Sequence, residues 1–430
     1  MFDLTTRTVT WRFLLAVLLV FAGAAHGAER DVPTRAGDSV PVQTYPADGD
    51  RLLLWLPSEF GASPRQPATA RALAALGIEV WIPDLHGAWF LPPGRYSLLG
   101  IDPTSIADLI DAAVRRTGKR VFLMAPGRTA ALALTGIRAW QAEAERPASV
   151  GGALLLHPNL YRRTPQGGES GEYLPITQAT TAPVYVFQPD QSAAYWRVGE
   201  LVATLEAGGA AVFLHRLAGV GDGFNIRPDA RPGEETMTGR LPAMTRRALD
   251  LLAGVTTDAV APLTADTLAA PEREQRTELL RPYAEPKPAP ALQLADLDGR
   301  EHDLAALDGQ VVLVNFWATW CPPCVEEIPS LQRLFERLGP RGLTVLAVAV
   351  GETAPQVRGF LEQRLQHTAV SFPVLLDPEG ASFKAWQAYA FPTTLILDRR
   401  QRIRYAVFGA FAWDGDEVVA TLQQLLAEPP

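Results

Sequence analysis

Apolar and polar positions along the last third of the chain follow two alternating periods. "QVVLVNFWA", bounded on its left by "LDG", is an unbroken apolar run of strand length and predicts a strand buried on both faces. Beyond it Val325, Ile328, Leu331, Leu334, Phe335 and Leu338 recur at helical spacing up to Gly339, a helix with a stop signal. "GLTVLAVAVG" predicts a second buried strand and "APQVRGFLEQRL" a second helix. "TTLILD" and "IRYAVFG" add two strands, and "DEVVATLQQLL" closes the unit with a helix. Strand, crossover helix, strand, a hairpin-like pair and a last helix make an α/β sandwich.

The same alternation runs through the first half. "RLLLWLPSEFG" is a strand and loop, and "ATARALAALGIEVWIPDLHGAW" a helix then a strand. "SIADLIDAAVRRTGKRVFLMAPGRTAALALTGIRAW" reads as helix, strand, sharp turn, helix. "VGGALLLHPNL", "APVYVFQPDQS" and "AAVFLHRLAGVGDGF" supply later strands. Between the halves, "RPYAEPKPAPAL" is rich in proline and charge and reads as a semi-stiff linker. The expected division is a leader at 1–27, an α/β domain at 28–260, a linker at 261–288 and a second α/β domain at 289–430.

The leader has its own pattern. Arg7 and Arg12 precede "FLLAVLLVFAGAA", a basic start, an apolar middle and a small-residue end, as in a secretory signal peptide. Cleavage after Ala25 or Gly27 fits. The run is shorter than the roughly 20 residues a spanning helix needs, and an uncleaved anchor is the rival reading. The net charge of −8 and the lack of any Lys/Arg block speak against nucleic acid as a ligand.

The chain of 430 residues holds two cysteines, Cys321 and Cys324, in "WATWCPPCVEE". The six histidines are scattered with no paired spacing, so a four-ligand zinc site lacks ligands. A bridge over two intervening residues closes too small a loop to stabilise much. A redox pair is the remaining reading. Cys321 stands where a buried strand ends and a helix begins, and the unpaired N–H groups and dipole there favour a thiolate. In such sites the thiol pKa falls from about 8.5 to about 7 or below, which raises the thiolate fraction at neutral pH from a few per cent to about half. Cys321 is therefore expected to attack and Cys324, one turn deeper, to resolve. Prolines in the first helical turn cost no hydrogen bond.

"VNFWATWCPPC" resembles the active-site strand and helix start of thioredoxin-fold proteins, and within them the TlpA/ResA-like periplasmic thiol–disulfide oxidoreductases. "APALQLADLDGREHDLAALDGQ" resembles their N-terminal hairpin, and "AVAVGETAPQVRGFL" the strand and helix after the active-site helix. "AFPTTLILD" resembles the segment whose cis-proline faces the cysteines. The likeness covers residues 287–427. It implies that Pro392 is the cis-proline, with Phe391 before it, and that both contact substrate. It implies that Trp320 flanks the attacking sulfur, against a plain core role. Glu327 matches an acidic residue that tunes the cysteines, although a glutamate in the first turns of a helix is also an ordinary dipole partner. Asn315 departs from thioredoxin itself, where an acidic residue sits six before the first cysteine. A peroxidase places Thr or Ser three residues before its reactive cysteine, and here Ala318 stands there. The likeness implies an exported reductase of protein disulfides that needs a membrane thiol donor for electrons and no cofactor.

The strand and helix order of residues 45–255 resembles an α/β-hydrolase. In that family the nucleophile sits in a G-x-S-x-G elbow; the matching stretch is "APGRT", with Gly127 at the nucleophile position. Asp222 in "GVGDGF" stands where the histidine is expected, and Asp190 matches the acidic member. Glycine has no side chain and aspartate is a poor base near neutral pH. A retired hydrolase kept for binding is the expectation. A hydrolase with Ser58 or Thr129 as nucleophile is the alternative. "HGAWFLPPGRYSLLG" reads as a packed loop, or else as a lid.

Overall fold

The computed structural model describes residues 27–143, 149–165, 167–255, 260–272, 280–364 and 369–429. The signal-peptide reading of residues 1–27 falls, but for its last residue, outside them. No described helix is long and apolar enough to cross a membrane.

Eight strands build the first sheet: β1 Ala28–Pro33, β2 Ser39–Tyr45, β3 Arg51–Trp55, β4 Ile78–Pro83, β5 Arg120–Pro126, β6 Val150–Leu156, β7 Val184–Gln191 and β8 Val212–Gly221. Their order is β1-β2-β4-β3-β5-β6-β7-β8. The pairs β1/β2 and β2/β4 are antiparallel and the rest parallel. Side chains alternate along each strand, so consecutive leucines serve opposite faces. Leu52 and Leu54 join one core with Ile106, Leu109, Leu134 and Ile137 from the helices Pro103–Thr117 and Thr129–Glu143. Leu53 joins the other with Leu73, Leu241 and Leu249 from the helices Gln66–Ala75 and Pro232–Ala253. Both faces are covered, which explains why β3, β5 and β6 read as continuous apolar runs.

The second half begins with β9 Arg281–Pro288 and continues with β10 Gln293–Ala295, β11 Glu301–Asp303, β12 Val311–Trp317, β13 Leu343–Val350, β14 Val374–Asp377, β15 Thr393–Leu397 and β16 Arg402–Phe408. β10 and β11 form the expected hairpin. The rest form a sheet ordered β14-β13-β12-β15-β16-β9. The central β12 pairs parallel with β13 and antiparallel with β15. Its Val311 and Leu313 face Leu331, Leu334 and Leu422 of the helices Pro322–Leu338 and Asp416–Ala427, and its Val312 and Phe316 face Phe383 and Trp386.

The linker reading needs correction at both ends. Residues 281–288 are β9, an edge strand paired antiparallel with β16. Proline is tolerated there because an edge strand leaves one row of N–H groups unpaired. The described upstream part is strapped to the first half: Arg138 donates to the Ala261 carbonyl, and Glu272 N–H donates to the Arg162 carbonyl at 2.7 Å.

The halves are joined through one side chain above all. Arg197 is 5% exposed and lies at the end of β7's loop. It donates to the carbonyls of Lys384 at 2.7 Å and Ala388 at 3.3 Å, pairs with Glu200 at 2.9 Å, and stacks 4.2 Å from the Tyr389 ring centroid. The Tyr389 hydroxyl in turn accepts from Gly171 N–H at 2.7 Å. Trp196 lies on Gly380, where a Cβ would collide with the indole and where φ is +60°. Glycine there admits the ring and the left-handed backbone together.

Candidate functional site: a cysteine pair in a cleft between the two halves

β12 ends at Trp317, and the helix Pro322–Leu338 starts five residues later with Cys321 as its cap. The Cys321 Sγ accepts from the Cys324 N–H at 3.3 Å, one of the orphan donors of the helix start. Cys321 and Cys324 are joined as a disulfide, with Cα atoms 5.3 Å apart. Cys321 is 4% exposed and Cys324 fully buried. Pro322 and Pro323 occupy the first turn, where no N–H is lost.

The loop before the cysteines is held by a residue that the sequence did not single out. Glu352, buried just after β13, accepts from Thr319 N–H at 2.8 Å and from the Thr319 hydroxyl. Burial pushes its carboxyl up, against the pull of these two bonds. Its only sequence signal was its place in "AVAVGET", after a buried strand.

Glu327 is 2% exposed, one turn beyond Cys324. Its Oε1 accepts from Asn315 Nδ2 at 2.7 Å and its Oε2 from Trp413 Nε1 at 3.0 Å. Asn315 also donates to Thr394 Oγ1 at 2.8 Å. Burial pushes the Glu327 carboxyl up to about 7, with the Trp413 and Asn315 bonds opposing. A surface dipole partner would not be buried in this way. Trp413 was not foreseen, because it comes from the loop after β16, 86 residues downstream of Glu327.

The Phe391–Pro392 peptide is cis. Pro392 is buried, and Ala390 and Phe391 present the surface beside the cysteines. Trp320 is half-buried and meets Phe391 edge-on at 5.3 Å.

Trp320, Cys321, Pro322 and Phe391 form one side of a cleft of about 610 Å³. Its other side comes from the first half, from the C-terminal ends of β5 to β8. The turn after β5 carries Gly127 at φ +52°. A Cβ there would lie 2.8 and 2.9 Å from the carboxylate oxygens of Glu59, which fills the space a nucleophile would use. Asp222 accepts from the Ser192 hydroxyl at 2.9 Å, and His157 Nε2 accepts from Gly223 N–H at 3.2 Å. Asp190 points elsewhere and accepts from Gly219 N–H at 2.8 Å. Ser58 is buried with its Oγ accepting from Phe60 N–H, and Thr129 is buried at the start of its helix. In the loop read as lid or packing, Phe90 is exposed, while Arg95 reaches the cleft.

The AhpC/TSA family matches residues 286–406. The thiol-disulfide oxidoreductase ResA of Geobacillus thermodenitrificans is 35% identical over 121 residues, 28% of this chain and 67% of that protein. ResA of Bacillus subtilis is 32% identical over 121 residues, 28% of this chain and 65% of that protein. Among solved structures, a thiol:disulfide interchange protein of the thioredoxin family from Chlorobium tepidum shares 29% identity, covering 34% of this chain and 99% of that one, with a TM-score of 0.29. With its thioredoxin-fold C-terminal half, the chain belongs to the ResA-like thiol–disulfide oxidoreductases of the AhpC/TSA family.

Proposed function

We propose that the protein is an exported, periplasmic reductase of protein disulfides, with Cys321 attacking and Cys324 resolving. The observation that carries this is the placement of Cys321 at a helix N-terminus, its sulfur accepting a backbone N–H and facing a cleft. The Cys321 thiolate attacks a substrate disulfide and forms a mixed disulfide, releasing one substrate thiolate. Cys324 then attacks Cys321 and releases the second, leaving the Cys321–Cys324 disulfide. Glu327 is a positioning residue whose carboxyl holds or yields a proton beneath the pair. Phe391 and Trp320 contact substrate beside the sulfur, with Pro392 behind them. A membrane thiol protein returns the electrons. Insulin reduction by the full chain under dithiothreitol tests this reading, with the Cys321→Ser chain as blank. Equal rates reject it.

The first half is an α/β-hydrolase-like domain that binds substrate or partner and does no hydrolysis. The strand order and the sharp turn after β5 support the likeness. Glu59 over Gly127, and His157 engaged with a backbone N–H, leave the turn after β5 without a nucleophile–base pair. The full chain should therefore release p-nitrophenol from its acetate ester no faster than buffer does. Turnover that survives Cys321→Ser and disappears on Ser192→Ala would show that the half is an esterase.

A further inference from the structure

Both halves build the cleft that receives Cys321. Its volume of about 610 Å³ falls within the range of small-ligand sites, roughly 300–1,000 Å³. A folded protein surface docks over about 800 Å² per partner, and the first half stands where such a surface would approach. The charge on that side is opposite to the chain's own. Five arginines, Arg95, Arg128, Arg197, Arg227 and Arg231, line the cleft, against the carboxylates of Glu59, Asp222 and Asp229. Arg227 and Arg231 share one further carboxylate, the fully buried Glu234. Arg197 pairs with Glu200, and burial pushes the Asp222 carboxyl up, so five guanidinium groups face four ionised carboxylates in a chain of net charge −8.

Resting on the reductase reading, we propose that the cleft is the substrate site and that it selects a short, carboxylate-bearing peptide disulfide. The source is a free peptide disulfide or an extended acidic segment of a protein. The remainder of the peptide lies along Arg95 and Arg231 while its disulfide meets Cys321. The dithiol supplies both electrons: the substrate S–S bond breaks, the Cys321–Cys324 bond forms, and two substrate thiols leave with the protons that the dithiol loses.

Intrinsic chemistry opposes this preference. Lysines beside a disulfide attract a thiolate and make the leaving thiol more acidic, so a lysine-flanked disulfide reacts faster with an unassisted thiol. The test therefore compares single-turnover oxidation of the reduced full chain by a glutamate-flanked peptide disulfide, its lysine-flanked counterpart, oxidised glutathione and insulin, read by mass spectrometry after acid quench. At low salt the glutamate peptide should exceed the lysine peptide by about ten-fold, a gap that shrinks in high salt. Arg95→Glu, at an exposed position, should reduce the ratio by about five-fold or more. Oxidised glutathione matching the glutamate peptide identifies the free source, and a rate for the glutamate peptide with none for oxidised glutathione identifies the protein segment. Either supports the site. A lysine peptide as fast as the glutamate peptide, or insulin faster than both, overturns it. Failure to react with every disulfide removes the reductase reading instead.

Discussion

Cys324→Ser should turn the protein into a covalent trap. Incubated reduced with a disulfide substrate, it should accumulate a one-to-one adduct through Cys321, visible as the summed mass and released by dithiothreitol. Cys321→Ser should form no adduct and lose turnover by on the order of 10³-fold or more. The asymmetry follows from position. Cys321 caps the helix, receives a backbone N–H and borders the cleft, whereas Cys324 is fully buried one turn deeper. Only a sulfur at the helix start has both the thiolate character and the access to attack. Once the mixed disulfide forms, Cys324 is the one other thiol in the chain, so nothing else can resolve it. An adduct on Cys324 in the Cys321→Ser chain would reverse the assignment.

The second large effect concerns Glu327. Its carboxyl is raised from 4.5 to about 7 in the folded, oxidised protein, chiefly by burial. The folded state then holds a proton between these two values that the unfolded state has released. Stability from this group is complete below pH 4.5 and is lost as the pH rises through 7, by about 3 kcal/mol in all. Glu327→Gln cannot titrate. The difference in unfolding free energy, wild type minus variant, should fall by about 3 kcal/mol between pH 4.5 and 8, measured by urea denaturation of the oxidised chains. The pH profile of reduction should also lose an inflection near 7 in the variant. A pH-independent difference would mean that the carboxyl stays ionised on Asn315 and Trp413.

Much of the frame was legible because it depends on local pattern. β12, the helix from Pro322 and the turn at Gly127 each carry their own periodicity or glycine signal. Edge elements were not legible. β1 and β2 are partly exposed, β14 has four residues, and β9 hides in a proline-rich stretch that becomes a strand only by pairing with β16. The site was legible as a motif and illegible as a cavity. Nothing near Cys321 in sequence says that Arg197 grips the Tyr389 segment, 187 to 191 residues away, or that Arg95 and Ser192 line one cleft with the cysteine. Trp413 on Glu327 and Glu59 over Gly127 are contacts of the same long-range kind.

The direction of electron flow is the central claim, and the reduction potential of the Cys321–Cys324 pair tests it most directly. Equilibrated with glutathione or dithiothreitol buffers, the full chain should give a potential near that of thioredoxin, about −270 mV. A potential near about −120 mV, that of a strong oxidant, would contradict the account.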